Sequence, residues 1–164
     1  MLSVNHAGIT VGDLDRSVDF YARLLGGEHL GTWERQGPQV DAVTGYPGVV
    51  VRQAFVRMPG GPALIELLQY VNGSGRRVEP DHGHAGVVHV ALDVTGLDGL
   101  LARLRLAGVT PLSDPIVAGQ GPLEGCRVVY VLDPDRVRVE LVEAPRRTDA
   151  DTGTEPAARN RESE

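Results

Sequence analysis

The sequence predicts an α+β protein: two tandem βαβββ modules forming a partly closed, barrel-like mixed sheet around a central cavity. Three observations predict it. Residues 6–16 (HAGITVGDLDR) and 89–99 (HVALDVTGLDG) nearly repeat each other, each an apolar strand opened by a histidine and leading into a helix at Leu-Asp. Downstream of each copy stands an apolar strand with a single glutamate inside it, ALIELLQ around Glu66 and VRVELVE around Glu140. The order strand, helix, three strands fits both halves, and one such unit alone leaves an open concave face that a second must cover.

The first half opens with a strand at residues 3–10, broken by Gly12-Asp13. Leu14, Val18, Tyr21, Leu24 and Leu25 then recur at helical spacing. Asp13 or Asp15 caps that helix and Gly26-Gly27 ends it. A short strand follows at 28–33. Residues 34–48 (ERQGPQVDAVTGYPG) are rich in turn formers and read as a loop. Strands at 49–58 and 63–70 flank the tight connection Pro59-Gly60-Gly61-Pro62. The first module therefore covers residues 1–71, and the polar, Gly- and Pro-containing stretch 72–85 is a linker.

The second module, residues 86–145, repeats the order: strand 86–94, helix 97–107 ended by Gly108, strand 110–116, a Gly/Pro loop to Gly125, and strands 127–132 and 137–142 around Asp133-Pro134-Asp135-Arg136. From residue 146 apolar residues almost vanish, which predicts a disordered C-terminal tail over 146–164. Strand alternation puts Glu66 on one face with Leu64, Leu68 and Tyr70, and Glu140 with Arg138 and Val142. A carboxylate turned into an apolar concavity needs a proton, an arginine or a metal. One His and one Glu per half, at equivalent repeat positions, point to a metal site.

Composition excludes several classes. The net charge is −6 and no apolar run approaches the length of a membrane span, so neither nucleic acid nor membrane is an expected partner, and a cytoplasmic protein is. Cys126 is the single cysteine, which rules out an intramolecular disulfide and a thiolate-rich zinc site. All sixteen basic residues are arginine, so a lysine base and Schiff-base chemistry are excluded. Arg52, Arg57, Arg127 and Arg138 are candidates for contacts to an anionic substrate, Arg52 and Arg138 foremost. Tyr130 is placed to enter the cavity. His82 and His84 form an HGH pair that reads as solvated loop, Cys126 reads as packed, and GQGPLEG at 119–125 opens no helix and so is not a phosphate loop.

NHAGITVGDLDRSVDFYARLLG, IELLQY, VVHVALDV and GCRVVYVLDPDRVRVELVE together resemble the vicinal oxygen chelate superfamily over residues 2–145, in particular its metal-dependent glyoxalase I and methylmalonyl-CoA epimerase-like members. The resemblance implies ligands from the first and fourth strands of each module, here His6, Glu66, His89 and Glu140. His-Glu-His-Glu is most similar to the glyoxalase I set; epimerases of the group usually place glutamine at the position of Glu66. The common Asp-Pro-Asp-Gly turn ends here in Arg136 rather than glycine. Two imidazoles and two carboxylates suit one divalent transition metal per site, Fe, Mn, Co, Ni or Zn. The implied function is chelation of vicinal oxygens of a small oxygenated metabolite and proton transfer at the carbon next to a carbonyl, by an isomerase, an epimerase or a glyoxalase-type lyase, with Glu140 and Glu66 as the catalytic carboxylates. The alternatives are an Fe(II) ring-cleaving dioxygenase and a drug- or metabolite-sequestering resistance protein. The resemblance also implies a homodimer, with the metal site completed either within one chain or across the dimer.

Overall fold

The computed structural model describes residues 2–73 and 83–145. The elements of the first half are β1 (His6–Thr10), α1 (Leu14–Val18), β2 (Glu28–Gln36), α2 (Pro38–Thr44), β3 (Val50–Arg57) and β4 (Leu64–Tyr70). Those of the second are β5 (Val90–Asp93), α3 (Leu97–Leu106), β6 (Ile116–Val117), β7 (Arg127–Leu132) and β8 (Arg138–Glu143). Each half supplies its own four-stranded sheet, in the orders β1-β4-β3-β2 and β5-β8-β7-β6. In both, the first strand runs parallel to the fourth and the remaining pairs are antiparallel. The repeat seen in the sequence is thus a repeat of topology.

The expected partly closed, barrel-like sheet is found in part: two separate sheets flank a cavity. Among the described residues the two sheets share no ladder, and β1 and β5 each remain an edge. Between those edges lies a cavity of about 780 Å³, lined by Ala7, Leu64 and Ile65 from one half and Val90, Ala91 and Leu92 from the other. Side chains, not strand hydrogen bonds, join the halves there.

Asp13 caps α1, its carboxylate accepting the amide of Arg16 at 3.1 Å. The helix continues as a π-helical turn over Asp19–Leu24, with the Leu25 amide reaching back to the Phe20 carbonyl. The wider turn keeps Leu14, Phe20 and Tyr21 on one buried face. These pack with Val56 and Leu67 of the first sheet and with Leu97, Leu101, Val131 and Leu141 of the second half in a single hydrophobic cluster. The burial of this face, rather than helix propensity, fixes the helix.

Two sequence expectations are corrected. Residues 38–44 form α2, not loop: Pro38 sits at the helix start and Gly45, with φ +75°, closes it left-handed. The strand expected over 110–116 is reduced to Ile116–Val117, with a lone amide bond from Leu112 to the Tyr130 carbonyl. Pro111 and Pro115 remove two ladder donors from this stretch.

A polar clasp ties the turn after β7 to the start of α1. The Gly12 amide donates to Asp135 at 3.1 Å, Arg16 to the Pro134 carbonyl at 3.0 Å, and the buried Tyr21 hydroxyl to Asp133 at 3.1 Å. The other oxygen of Asp133 accepts the amides of Asp135 and Val137. Arg136 keeps a left-handed backbone, φ +69°, so the turn holds the conformation that suits glycine. Burial pushes the Asp133 carboxyl above its ordinary range and, with the neighbouring Asp133 charge, pushes the Tyr21 phenol well up.

Candidate metal centre

The outward face of the first sheet carries His6, Gly8 and Thr10 from β1, and Glu66, Leu68 and Tyr70 from β4. The opposite face of the same strands, with Ile9, Ile65 and Leu67, is buried in the core. Parallel pairing sets Gly8 beside Glu66. A Cβ on Gly8 would come within 3.3 Å of Glu66 Oε2, so the absence of a side chain leaves room for the carboxylate to reach His6. His6 Nε2 lies 3.2 Å from Glu66 Oε2. The other ring nitrogen, Nδ1, is 2.8 Å from Asn5 Oδ1, which orients the imidazole with Nε2 towards the carboxylate. The Gln53 amide donates to the second Glu66 oxygen. Phe55, cross-strand from Glu66, meets the His6 ring edge-to-face at 6.0 Å.

The second sheet repeats this. His89 Nε2 is 2.9 Å from Glu140 Oε2, and Tyr130, cross-strand from Glu140, meets the His89 ring edge-to-face at 5.5 Å. Tyr130 occupies the place of Phe55 and adds a hydroxyl. Desolvation and the Glu140 charge, together with a hydrogen bond to that carboxylate, raise the phenol, which stays protonated and donates to Glu140. The Arg138 guanidinium lies 5.9 Å from the Tyr130 ring centre. The histidines are 40% and 36% exposed at the side chain and the glutamates 13% and 11%, so each imidazole opens to solvent while its carboxylate is recessed.

The four residues expected as ligands therefore come together as two equivalent pairs. Among the described residues no third His, Cys, Asp or Glu joins either pair. An imidazole nitrogen and a carboxylate oxygen converging at about 3 Å suit a divalent cation, and each pair supplies half of a four-ligand set.

Other candidates fall elsewhere. Arg52 lies on the helix-packed side of β3, pairing with Asp15 at 3.0 Å and bonding Gln69, and does not share the His6–Glu66 face. One residue of strand alternation makes the difference, since Gln53 is its neighbour. Arg57 pairs with Glu28 at 2.7 Å, and Arg127 with Asp98 and Glu143. Arg138 has no ion pair among the described residues, and its buried Nε has no protein partner. Cys126 is half-buried, His84 lies in the loop before β5, residues 119–125 are bend and turn with no helix, and His82 is outside the described residues. Asn5, Gln53 and Phe55 escaped the sequence reading. Phe55 and Tyr130 were visible as aromatics in equivalent hairpins, but their register with the glutamates was not.

The Glyoxalase/Bleomycin resistance protein/Dioxygenase superfamily model matches residues 3–141, which include all four candidate ligands and Tyr130. The 2-epi-5-epi-valiolone epimerase of Actinomyces sp. is 32% identical over 154 residues, covering 88% of this chain and 80% of that protein. The lactoylglutathione lyase of Haemophilus influenzae is 28% identical, covering 87% and 93%. Among solved structures, a glyoxalase family protein from Bacillus cereus superposes with a TM-score of 0.77 at 21% identity, over 88% of this chain and 95% of that one. This chain belongs to the Glyoxalase/Bleomycin resistance protein/Dioxygenase superfamily.

Proposed function

We propose that the protein is a divalent-metal-dependent enzyme that moves a proton at the carbon next to a carbonyl of a small oxygenated metabolite, as an epimerase, an isomerase or a glyoxalase-type lyase. The observation that carries the reading is the pair of equivalent His–Glu half-sites on open sheet faces, each short of the ligands a transition metal needs. The kinship with an epimerase and with lactoylglutathione lyases supports the same reaction class. The missing ligands come from a second copy: His6 and Glu66 of one subunit would face His89 of the partner subunit and Glu140 of the partner subunit, giving a two-fold dimer with two equal sites.

When bound, the metal supplies Lewis-acid polarisation of the substrate carbonyl. The residues of the chain do the rest. Asn5 holds the His6 ring and Gln53 holds Glu66, so that half is fixed from behind. Glu140, recessed and bonded by the Tyr130 hydroxyl, takes the proton from the C–H beside the carbonyl. Glu66 returns a proton on the opposite face for epimerisation. The reaction needs no oxidant and no nucleophilic side chain.

The test is subunit mixing with metal quantification. Wild type is expected to hold about one transition metal per chain, and His6→Ala and His89→Ala none. Dissociated and reassociated together, those two variants regain about a quarter of the wild-type metal and activity, because each mixed dimer contains one intact site and one doubly broken one. A monomer in light scattering, or no recovery on mixing, refutes the shared site. Metal-independent exchange of the α-proton refutes the metal reading.

A further inference from the structure

A second concavity lies on the same face as the His6–Glu66 pair. Its volume is about 470 Å³ and it is lined by Thr10, Tyr46, Pro47, Val49, Tyr70 and Asn72 together with Gly73. Thr10 pairs with Leu68, one step of the same-face alternation beyond the Gly8–Glu66 pair, so the pocket begins about 7 Å along the strands from the carboxylate. Tyr70 continues it a further step in the same direction. Tyr46 also lines it. It follows Gly45, whose left-handed turn ends α2.

The chemistry of this pocket is uniform. The Tyr46 and Tyr70 rings stand 5.9 Å apart at 77°, making an aromatic corner. Among the described residues, the Thr10, Tyr46 and Tyr70 hydroxyls have no protein hydrogen-bond partner, while the Asn72 side chain is committed to the Val50 amide and the Gly48 carbonyl. Among the described residues, no charged side chain lines it. An aromatic corner receives the C–H face of a saturated ring, and three available hydroxyls match its substituents. A phosphate or carboxylate placed there would lose hydration and gain no cation from these lining residues.

We infer that this pocket is a substrate subsite for a neutral, polyhydroxylated ring or ring-sized polyol, carried by the part of the substrate remote from the reacting carbon. The inference rests on the proposed proton-transfer site and deepens it by naming the substrate class: an uncharged hydroxylated ketone, not a phosphorylated sugar or a multiply charged thiol conjugate. Tyr46 is the specificity-determining residue. It is 62% exposed, so its removal leaves the core intact.

The experiment uses the full chain and two probes of one ring, myo-inositol and inositol 1-phosphate, with saturation-transfer NMR. Myo-inositol is expected to receive saturation in a titratable manner, and inositol 1-phosphate to bind at least about tenfold more weakly. Tyr46→Ala should abolish the myo-inositol signal, and Thr10→Val, close in shape but lacking the hydroxyl, should weaken it severalfold. Cobalt titration of both variants should match wild type, since neither residue touches the half-site. Equal binding of the two probes, or a myo-inositol signal unchanged in Tyr46→Ala, overturns the subsite. Loss of cobalt binding in Tyr46→Ala also overturns it, by making the residue structural. If wild type takes up no cobalt while Tyr46-dependent inositol binding persists, the metal reading fails and the subsite stands.

Discussion

Replacing Asp133 by alanine should unfold the clasp between the halves, and the structure sets the size of the effect. One Asp133 oxygen accepts the amides of Asp135 and Val137 at 2.9 and 2.7 Å, and the other accepts the Tyr21 hydroxyl at 3.1 Å. Alanine leaves all three donors without an acceptor. The two amides are partly solvated and cost about 1 kcal/mol each; the hydroxyl of the fully buried Tyr21 costs about 2, for a loss near 4 kcal/mol. In a domain of this size that lowers Tm by about 10 °C. Asp133→Asn separates hydrogen bonding from charge. Its carbonyl keeps both amides, its NH2 meets the Tyr21 oxygen, and at neutral pH it escapes the desolvation that raises the aspartate. Asparagine should therefore stay within about 1 kcal/mol of wild type. A folded-state pKa above the ordinary 3.8 gives a contribution fully present below 3.8 and lost as pH rises through the raised value, so wild type gains on Asp133→Asn as the solution is acidified. Urea titrations of the three proteins at neutral and acidic pH read all of this. Alanine within about 1 kcal/mol of wild type, or asparagine as damaging as alanine, would refute the reasoning.

Three further outcomes follow from other residues. Ser17 is fully buried and its hydroxyl has no protein partner, so Ser17→Ala should raise stability by about 1 kcal/mol, measured by urea midpoint. Glu143 accepts the Gly96 and Leu97 amides, both at 2.9 Å, at the start of α3; the Leu97 bond above all, then those from Gly96 and Arg127, holds its carboxyl below the ordinary 4.5. That stabilisation is present above pH 4.5 and lost as pH falls through the lowered value, so Glu143→Gln should flatten the acid limb of a stability–pH curve. Gly8→Val would press on Glu66 and should weaken metal uptake at least about tenfold in a cobalt titration while the fold, read by circular dichroism, persists.

The repeat in the sequence carried most of the fold because identical patterns impose identical local structure: strand, helix, three strands, twice, with β7 found at its expected residues. The His–Glu pairs were legible for the same reason. What was not legible depended on long-range placement. Gln53 and Arg52 are neighbours with opposite fates, and only the register of β3 against β4 shows which faces the site. How far the sheet closes was not legible, because alternation fixes faces, not how two edges meet. The helix over 38–44 was hidden by its own punctuation, since Pro38 and Gly45 mark a helix start and stop as readily as a loop.

Among the described residues, the clasp at Asp133 has no twin. Its repeat-equivalent would join the β3–β4 turn to the start of α3, where Pro59, Gly60, Thr95 and Leu100 instead border the open cavity. The seam between the halves is therefore bolted at one end and slack at the other. In the two-fold pair proposed above, the tilt of one half on the other would set the gap in both candidate metal sites at once. If the proposed pair forms, stiffness at a turn that touches no candidate ligand would thereby govern how alike, and how tight, the two proposed centres are.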